Sequence, residues 1–203
     1  MTTHVTILET GLANIASVIA AFKRLGSTVS IENTPQAIRS AQRLVVPGVG
    51  SFGTAMSRLK QAELIQPLLE RVESNKPTLG ICLGLQIFGQ QSDESPEIAG
   101  LGWVSSPVKS FSTTVVSPQM GWNKITPSPN SRFLEEGYAY FANSFRFDFI
   151  PEGWSGGTSE YGGTAVAALE RGTFLGCQFH PELSGAYGER LLSRWQDQEV
   201  PSC

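Results

Sequence analysis

Gly80-Ile81-Cys82-Leu83-Gly84, followed by Gln86, puts a thiol where it could do chemistry. Residues 77–81 read as a short apolar strand and 83–91 as a continuing helix, so Cys82 falls on a sharp strand-to-helix turn. Glycines at 80 and 84 keep Cβ atoms out of that corner. A thiol placed there points away from the sheet edge, and a helix N-terminus favours its thiolate. This is the cysteine counterpart of the G-x-S-x-G geometry, in which the residue after the nucleophile, here Leu83, offers its backbone N–H to an oxyanion. The competing reading is a buried structural cysteine, since free cysteines are among the most buried residues. A partner base decides between the two.

Gln178-Phe179-His180-Pro181-Glu182 supplies one. Residues 173–179 read as a final strand, apolar at Phe174, Leu175, Cys177 and Phe179. Pro181 biases His180 toward an extended backbone, in which residues two apart share a face. Glu182 can then hold one imidazole nitrogen and leave the other for a thiol, the nucleophile, base and orienter of covalent acyl transfer. A capping or core histidine beside a proline turn is the bland alternative. The only other histidine, His4, falls inside the first predicted strand, so a Cys–His enzyme here has one candidate base.

The elements that must position these groups alternate. Residues 4–8 read as a buried strand. Asn14 can cap a helix whose apolar stripe is Ile15, Val18, Ile19, Phe22 and Leu25, with Gly26 ending it. A second strand follows at 28–31, and Thr34-Pro35 opens a short helix in cap-then-proline order. A third strand at 43–46 runs into the glycine-rich Pro47-Gly48-Val49-Gly50, helices are expected at 52–59 and 67–73, and the next strand leads to Cys82. This βαβα order predicts a largely parallel sheet with helices on both faces, whose active sites lie at the carboxyl ends of the strands. Cys82 and residues 47–50 both fall at such ends. Beyond Trp103 the chain turns to short β-prone runs (108–111, 122–125 and 138–149) and then glycine-punctuated strands, read as hairpins of one domain spanning 1–203. Residues 92–97 read as an acidic, solvated loop, 183–195 as a C-terminal helix, and the tail after Asp197 as frayed.

Composition removes other classes. Fifteen Lys plus Arg against 18 Asp plus Glu give a net charge of −3, and no basic run suggests nucleic acid. Cysteines at 82, 177 and 203 are odd in number and lack paired spacing, which argues for a reducing compartment. Cys177 is expected in a strand core and Cys203 as an incidental exposed thiol. With no C-x-x-C and two histidines a metal site is not expected, nor is any cofactor. The start lacks the pattern of a signal peptide, and no apolar run approaches a membrane span, so a soluble cytoplasmic protein is expected.

G-I-C-L-G-x-Q together with F-H-P-E resembles the class I glutamine amidotransferases over nearly the whole chain, from Ile7 to about Leu192. Pro47-Gly48-Val49-Gly50-Ser51-Phe52-Gly53, Met120-Gly121-Trp122-Asn123 and Gly176-Cys177-Gln178-Phe179-His180-Pro181-Glu182 narrow the likeness to the glutaminase subunits of imidazole glycerol phosphate synthase. The resemblance implies a flavodoxin-like mixed sheet and a triad of Cys82, His180 and Glu182. It implies an oxyanion hole from Leu83 and the loop at Val49 and Gly50, and glutamine binding by Gly50, Gln86, Asn143, Ser144 and Phe145. The implied partner is a (β/α)8-barrel cyclase, forming a heterodimer and faced by Asn14, Met120, Trp122, Asn123 and Leu183. An ordinary tight turn remains the plain reading of 47–50, and a core strand that of 140–145. A buried Trp122 would be the more usual outcome than an exposed one.

The chain departs from the family's usual residues at Ala13 (commonly Gly), Asn143 and Gln119 (often His), and Leu183 (often Lys). None is a triad residue, so a normal chemical step with an altered contact surface is expected. The rivals are a glutaminase for another synthase (pyridoxal phosphate, anthranilate or a nucleotide), a non-catalytic amidotransferase-like regulatory module, and a cysteine hydrolase acting on another substrate.

Overall fold

Val5, Ile7, Val45, Leu79 and Ile81 pack into one apolar layer, while Leu8, Leu44 and Val46 pack into another. Alternation of this kind, apolar on both sides, requires strands covered on both faces. The computed structural model describes residues 2–9, 11 and 14–199. Its first half runs β1 (His4–Leu8), α1 (Ile15–Arg24), β2 (Thr28–Glu32), α2 (Pro35–Ser40), β3 (Leu44–Gly48), α3 (Phe52–Gln61), α4 (Ile65–Glu73) and β4 (Thr78–Cys82). A single helical turn, α5 (Leu83–Gln86), leads to β5 (Gln91–Ser92), β6 (Ser95–Ala99), β7 (Lys109–Ser110), β8 (Gln119–Pro127), β9 (Gly137–Asn143) and β10 (Phe145–Arg146). Then come β11 (Ser155–Glu160), β12 (Thr164–Arg171), β13 (Phe174–Cys177), a 3-10 turn (Pro181–Leu183) and α6 (Gly185–Gln196).

Nine of these strands form one sheet in the order β2-β1-β3-β4-β13-β12-β11-β8-β9. The five from β2 to β13 are mutually parallel, and the remaining pairs are antiparallel. The sheet is mixed, as expected, and the hairpins of the second half extend it through β13. Phe22 of α1 and Tyr187, Leu191 and Trp195 of α6 cover one face. Ile38, Leu59, Leu68 and Val72 from α2, α3 and α4 cover the other. Arg71 is buried between them and donates to the carbonyls of Ile38, Ala41 and Pro77. Burial pulls its guanidinium down to about 10, and the three carbonyls make the buried cation tolerable. No helix among the described residues is long and apolar enough to cross a membrane.

Local chemistry explains the starts of the helices. Thr34 accepts from the Ala37 N–H at 3.3 Å with Pro35 in the first turn, as read from sequence. Asn14 stands at the start of α1 but makes no side-chain capping bond, against expectation, and its side chain remains available elsewhere.

Two further expectations are corrected. The helix after Cys82 ends at Gln86 instead of running to 91. The carbonyls of Ile87, Phe88 and Gly89 accept from Leu101, Val104 and Gly102, which draws the chain sideways. Residues 92–97 are no solvated loop: β5 and β6 form a hairpin there. Asp93 accepts from the Lys109 ammonium at 3.0 Å and the Ser110 N–H at 3.1 Å, and Glu94 accepts from the Phe52 N–H at 2.6 Å.

A Cβ added at Gly84 would stand 1.8 Å from the Val46 carbonyl oxygen, far inside van der Waals contact. Gly84→Ala is therefore expected to cost roughly 2 kcal/mol or more by overpacking. For a chain of this size that lowers the melting temperature by about 4–8 °C, measurable by thermal denaturation.

Candidate active site

The close approach at Gly84 sets the geometry around Cys82. In the β3–β4 register Gly48 lies beside Cys82. A Cβ on Gly80 would meet the Gly84 carbonyl oxygen at 2.6 Å, and one on Gly48 the Gly84 N at 2.8 Å. The first turn after β4 thus folds directly back over β3 and β4, and glycine alone fits at all three positions. Cys82 itself takes φ 53° and ψ −113°, a conformation that costs a non-glycine residue about 1–3 kcal/mol. Since α5 is one turn long, its dipole is short, and the thiol's main electrostatic partner is the histidine.

His180 follows β13 and is clamped through its backbone. Its N–H donates to the Tyr140 carbonyl at 2.9 Å, and its carbonyl accepts from Ser184 Oγ at 2.6 Å. The same Oγ accepts from the Tyr140 N–H. His180 is extended, but Glu182 lies in the 3-10 turn and not, as expected, in an extended segment. The turn still brings Glu182 Oε1 to 2.8 Å from His180 Nδ1. With Nδ1 engaged, Nε2 is left for Cys82, which hydrogen-bonds the ring. Burial pulls His180 down, but the bonds to Cys82 and Glu182 and the charges of both groups outweigh it and push the imidazole up to about 10. Glu182 Oε2 is buried without a hydrogen-bond partner among the described residues.

Beside Cys82 opens a cavity of about 160 Å³. Cys82, Leu83 and Gln86 form its floor, the Val49–Gly50 loop one wall, and Asn143, Ser144 and Phe145 the other. Gly50 holds the loop open at φ 95°. Leu83 is the first residue of α5, so its N–H has no acceptor within the helix. The Gln86 and Asn143 side-chain amides both donate to the Phe145 carbonyl at 3.0 Å, fixing the bend after β9. The residues expected for the oxyanion hole and for glutamine binding all line this one cavity, whereas His180 and Glu182 line a neighbouring one.

The family model of class-I glutamine amidotransferases matches residues 6–195. The chain is 40% identical over 197 residues to the imidazole glycerol phosphate synthase subunit HisH of Yersinia pseudotuberculosis serotype I (strain IP32953), covering 94% of this chain and 97% of that protein. It belongs to the class-I glutamine amidotransferases, in the HisH family. The Arabidopsis thaliana chloroplastic imidazole glycerol phosphate synthase hisHF is 34% identical across 98% of this chain, which spans only 35% of that longer protein. A solved glutamine amidotransferase superposes with a TM-score of 0.76 at 20% identity, over 94% of this chain and 96% of its own. That last likeness speaks for the fold.

Sequence reasoning missed Glu94, whose side chain reaches the cavity from the β5–β6 hairpin. It lies 12 residues from Cys82 with no helical or strand period linking them, so nothing local could have found it. A second cavity of about 220 Å³ lies across His180, lined by Asn14, Val49, Ala142, Glu182 and Leu183 among others. Met120, Trp122 and Leu183 are exposed near that side of this HisH-family chain, at 66%, 55% and 44%. Trp122 is stacked edge-on against Tyr140, so the usual burial of tryptophan does not hold. Asn123 alternates to the inner side of β8 and donates to the Glu160 carbonyl at 3.2 Å. Gln119 and Asn143 are paired across β8 and β9. Ala13 and Cys203 lie outside the described residues.

The His180 shift has a pH consequence. Its folded value lies above the ~6.5 of a free imidazole, so its stabilising contribution is complete below about pH 6.5 and is lost as pH rises through about 10. In ring-carbon NMR titration His180 is expected to stay cationic past pH 8, with Glu182→Gln moving its midpoint down toward 6.5.

Proposed function

We propose that this chain is the glutaminase subunit of an imidazole glycerol phosphate synthase, releasing ammonia from glutamine through a γ-glutamyl thioester on Cys82. The observation that carries the reading is a single buried imidazole joining Cys82, which lines the cavity, to Glu182. The Cys82 thiolate attacks the side-chain amide carbon, and the carbonyl electrons move onto oxygen. Leu83 N–H and an N–H of the Val49–Gly50 loop receive that oxyanion, each such donor being worth about 10²–10³ in rate. Collapse of the adduct breaks the C–N bond, and His180 delivers its proton to the leaving ammonia. The neutral imidazole then takes a proton from water as it adds to the thioester, which frees glutamate and returns the thiolate. Glu182 keeps the ring oriented throughout.

The cavity suits the rest of the substrate. Glu94 supplies a carboxylate for the α-ammonium, Gln86 and Asn143 flank the amide, and Gly50 and Ser144-Phe145 line the remaining wall. A partner subunit receives the ammonia, and the longer hisHF relative supports such coupling within one chain. We assign the partner as a (β/α)8-barrel cyclase that adds ammonia to a phosphoribulosyl-formimino ribonucleotide, giving imidazole glycerol phosphate and an aminoimidazole carboxamide ribotide in the cytoplasm. Asn14, Met120, Trp122 and Leu183 form its docking rim around the second cavity, with Asn123 supporting β8 from beneath.

Glutamate release should be low for the chain alone and strongly stimulated by the cyclase with its ribonucleotide ligand. Cys82→Ala should lower the stimulated rate by about 10³-fold or more. Brisk activity indifferent to partner and ligand would point to another synthase, and no activity in any mixture to a regulatory module. Trp122→Ala, removing an exposed aromatic anchor, should weaken partner binding by about 30-fold in calorimetric titration.

A further inference from the structure

Gln178 is 1% exposed, stands two residues before His180, and has no role in the chemistry above. Its Nε2 donates to Cys82 Sγ at 3.7 Å. Its Oε1 accepts from Gln86 Nε2 at 3.0 Å, while the same Gln86 nitrogen donates to the Phe145 carbonyl at 3.0 Å. A primary amide has two N–H groups and one oxygen. Both hydrogens of Gln86 are therefore spent inward, and its oxygen is what it has left to offer a ligand. The bond from Gln86 also fixes the orientation of Gln178. With Oε1 committed to Gln86, the N–H groups of Gln178 turn toward the sulfur. Two amides in series form a directed chain from the Phe145 carbonyl to the thiol.

We propose that Gln178 is a positioning residue for the nucleophile, donating a hydrogen bond that holds Cys82 Sγ in one rotamer and solvates its charge. The inference rests on the glutaminase reading for the sulfur's role and adds the group that prepares it. A thiolate accepts hydrogen bonds better than a thiol, so the bond strengthens as the sulfur ionises. The buried setting increases the effect, since the surroundings of the bond screen charge less than water does. His180 meets the sulfur as the group that exchanges its proton, whereas no proton passes through Gln178. When the thioester is cleaved the sulfur leaves with the bonding electron pair, and Gln178 is in place to receive the renewed charge. Gln86, which lines the cavity, orients Gln178, so a ligand gripping Gln86 acts on the nucleophile through a single intervening side chain.

The test is the pH dependence of Cys82 alkylation by iodoacetamide, read by mass spectrometry of the Cys82 peptide in the full chain. Gln178→Met keeps the length and removes the donor. Its alkylation midpoint should rise by about one pH unit, a tenfold loss of thiolate below the midpoint. With partner and ribonucleotide present, kcat should fall about tenfold and KM stay within about threefold. Gln86→Met, which removes the group that orients Gln178 along with its bond to the Phe145 carbonyl, should move the alkylation midpoint the same way by less, and carries the test if Gln178→Met melts early. A wild-type midpoint in either folded variant overturns the proposal. Alkylation needs no glutamine turnover, so an inactive wild-type enzyme would defeat the functional reading while leaving this one measurable.

Discussion

The carbonyl of Val46 leaves no space for a side chain at residue 84, and most of the site depends on that contact. It lets α5 fold back onto the ends of β3 and β4 at backbone distance. Cys82 is thereby forced into positive φ, a strain the flanking strands can hold because β4 is paired on both sides, to β3 and to β13. The same contact puts the Val49–Gly50 loop beside the sulfur and turns Gln86 toward β10. One steric exclusion thus places the thiol, a wall of the cavity and the amide that touches both.

Burial is handled differently at each ionisable group, and the differences separate structure from chemistry. Arg71 is a buried cation satisfied by three carbonyls, and it ties the turns after α2 to the approach to β4. Cys177 lies across from Ile81 in the β13–β4 register, one residue from the level of Cys82. Burial there pushes its thiol well above the ordinary range, leaving it inert. Cys82, at the turn, meets an imidazole instead. The His180–Glu182 pair keeps one carboxylate oxygen without a partner among the described residues, an arrangement more costly than a fully satisfied pair. Its compensation is a base held in one orientation.

Much of this was legible in the sequence where local rules govern. The apolar periods of β1 and α1, the Thr34-Pro35 start of α2 and the glycines around Cys82 each had a near-neighbour cause. His180 and Glu182 were legible as a pair, though a 3-10 turn, not extended chain, brings them together. The path from Ile87 to Val104 was not legible, because the carbonyls of Ile87, Phe88 and Gly89, just past α5, are claimed by N–H groups more than ten positions on. Glu94 was hidden for the same reason: a charged stretch reads as solvated until its tertiary partners, the Phe52 N–H and β7, are known. Gln178 was read only as part of a motif, since its two bonds reach residues some 90 positions away.

Val49 and Ala142 line both the cavity beside Cys82 and the one across His180. This shared lining gives the proposed reaction a direction in space. The bulky, charged product of that reaction backs out past Glu94 along the route by which its parent entered. The small neutral product, formed at the imidazole, can cross to the far chamber. In the proposed reaction, traffic is then one-way for nitrogen and two-way for carbon, with Val49 on the boundary between the two routes.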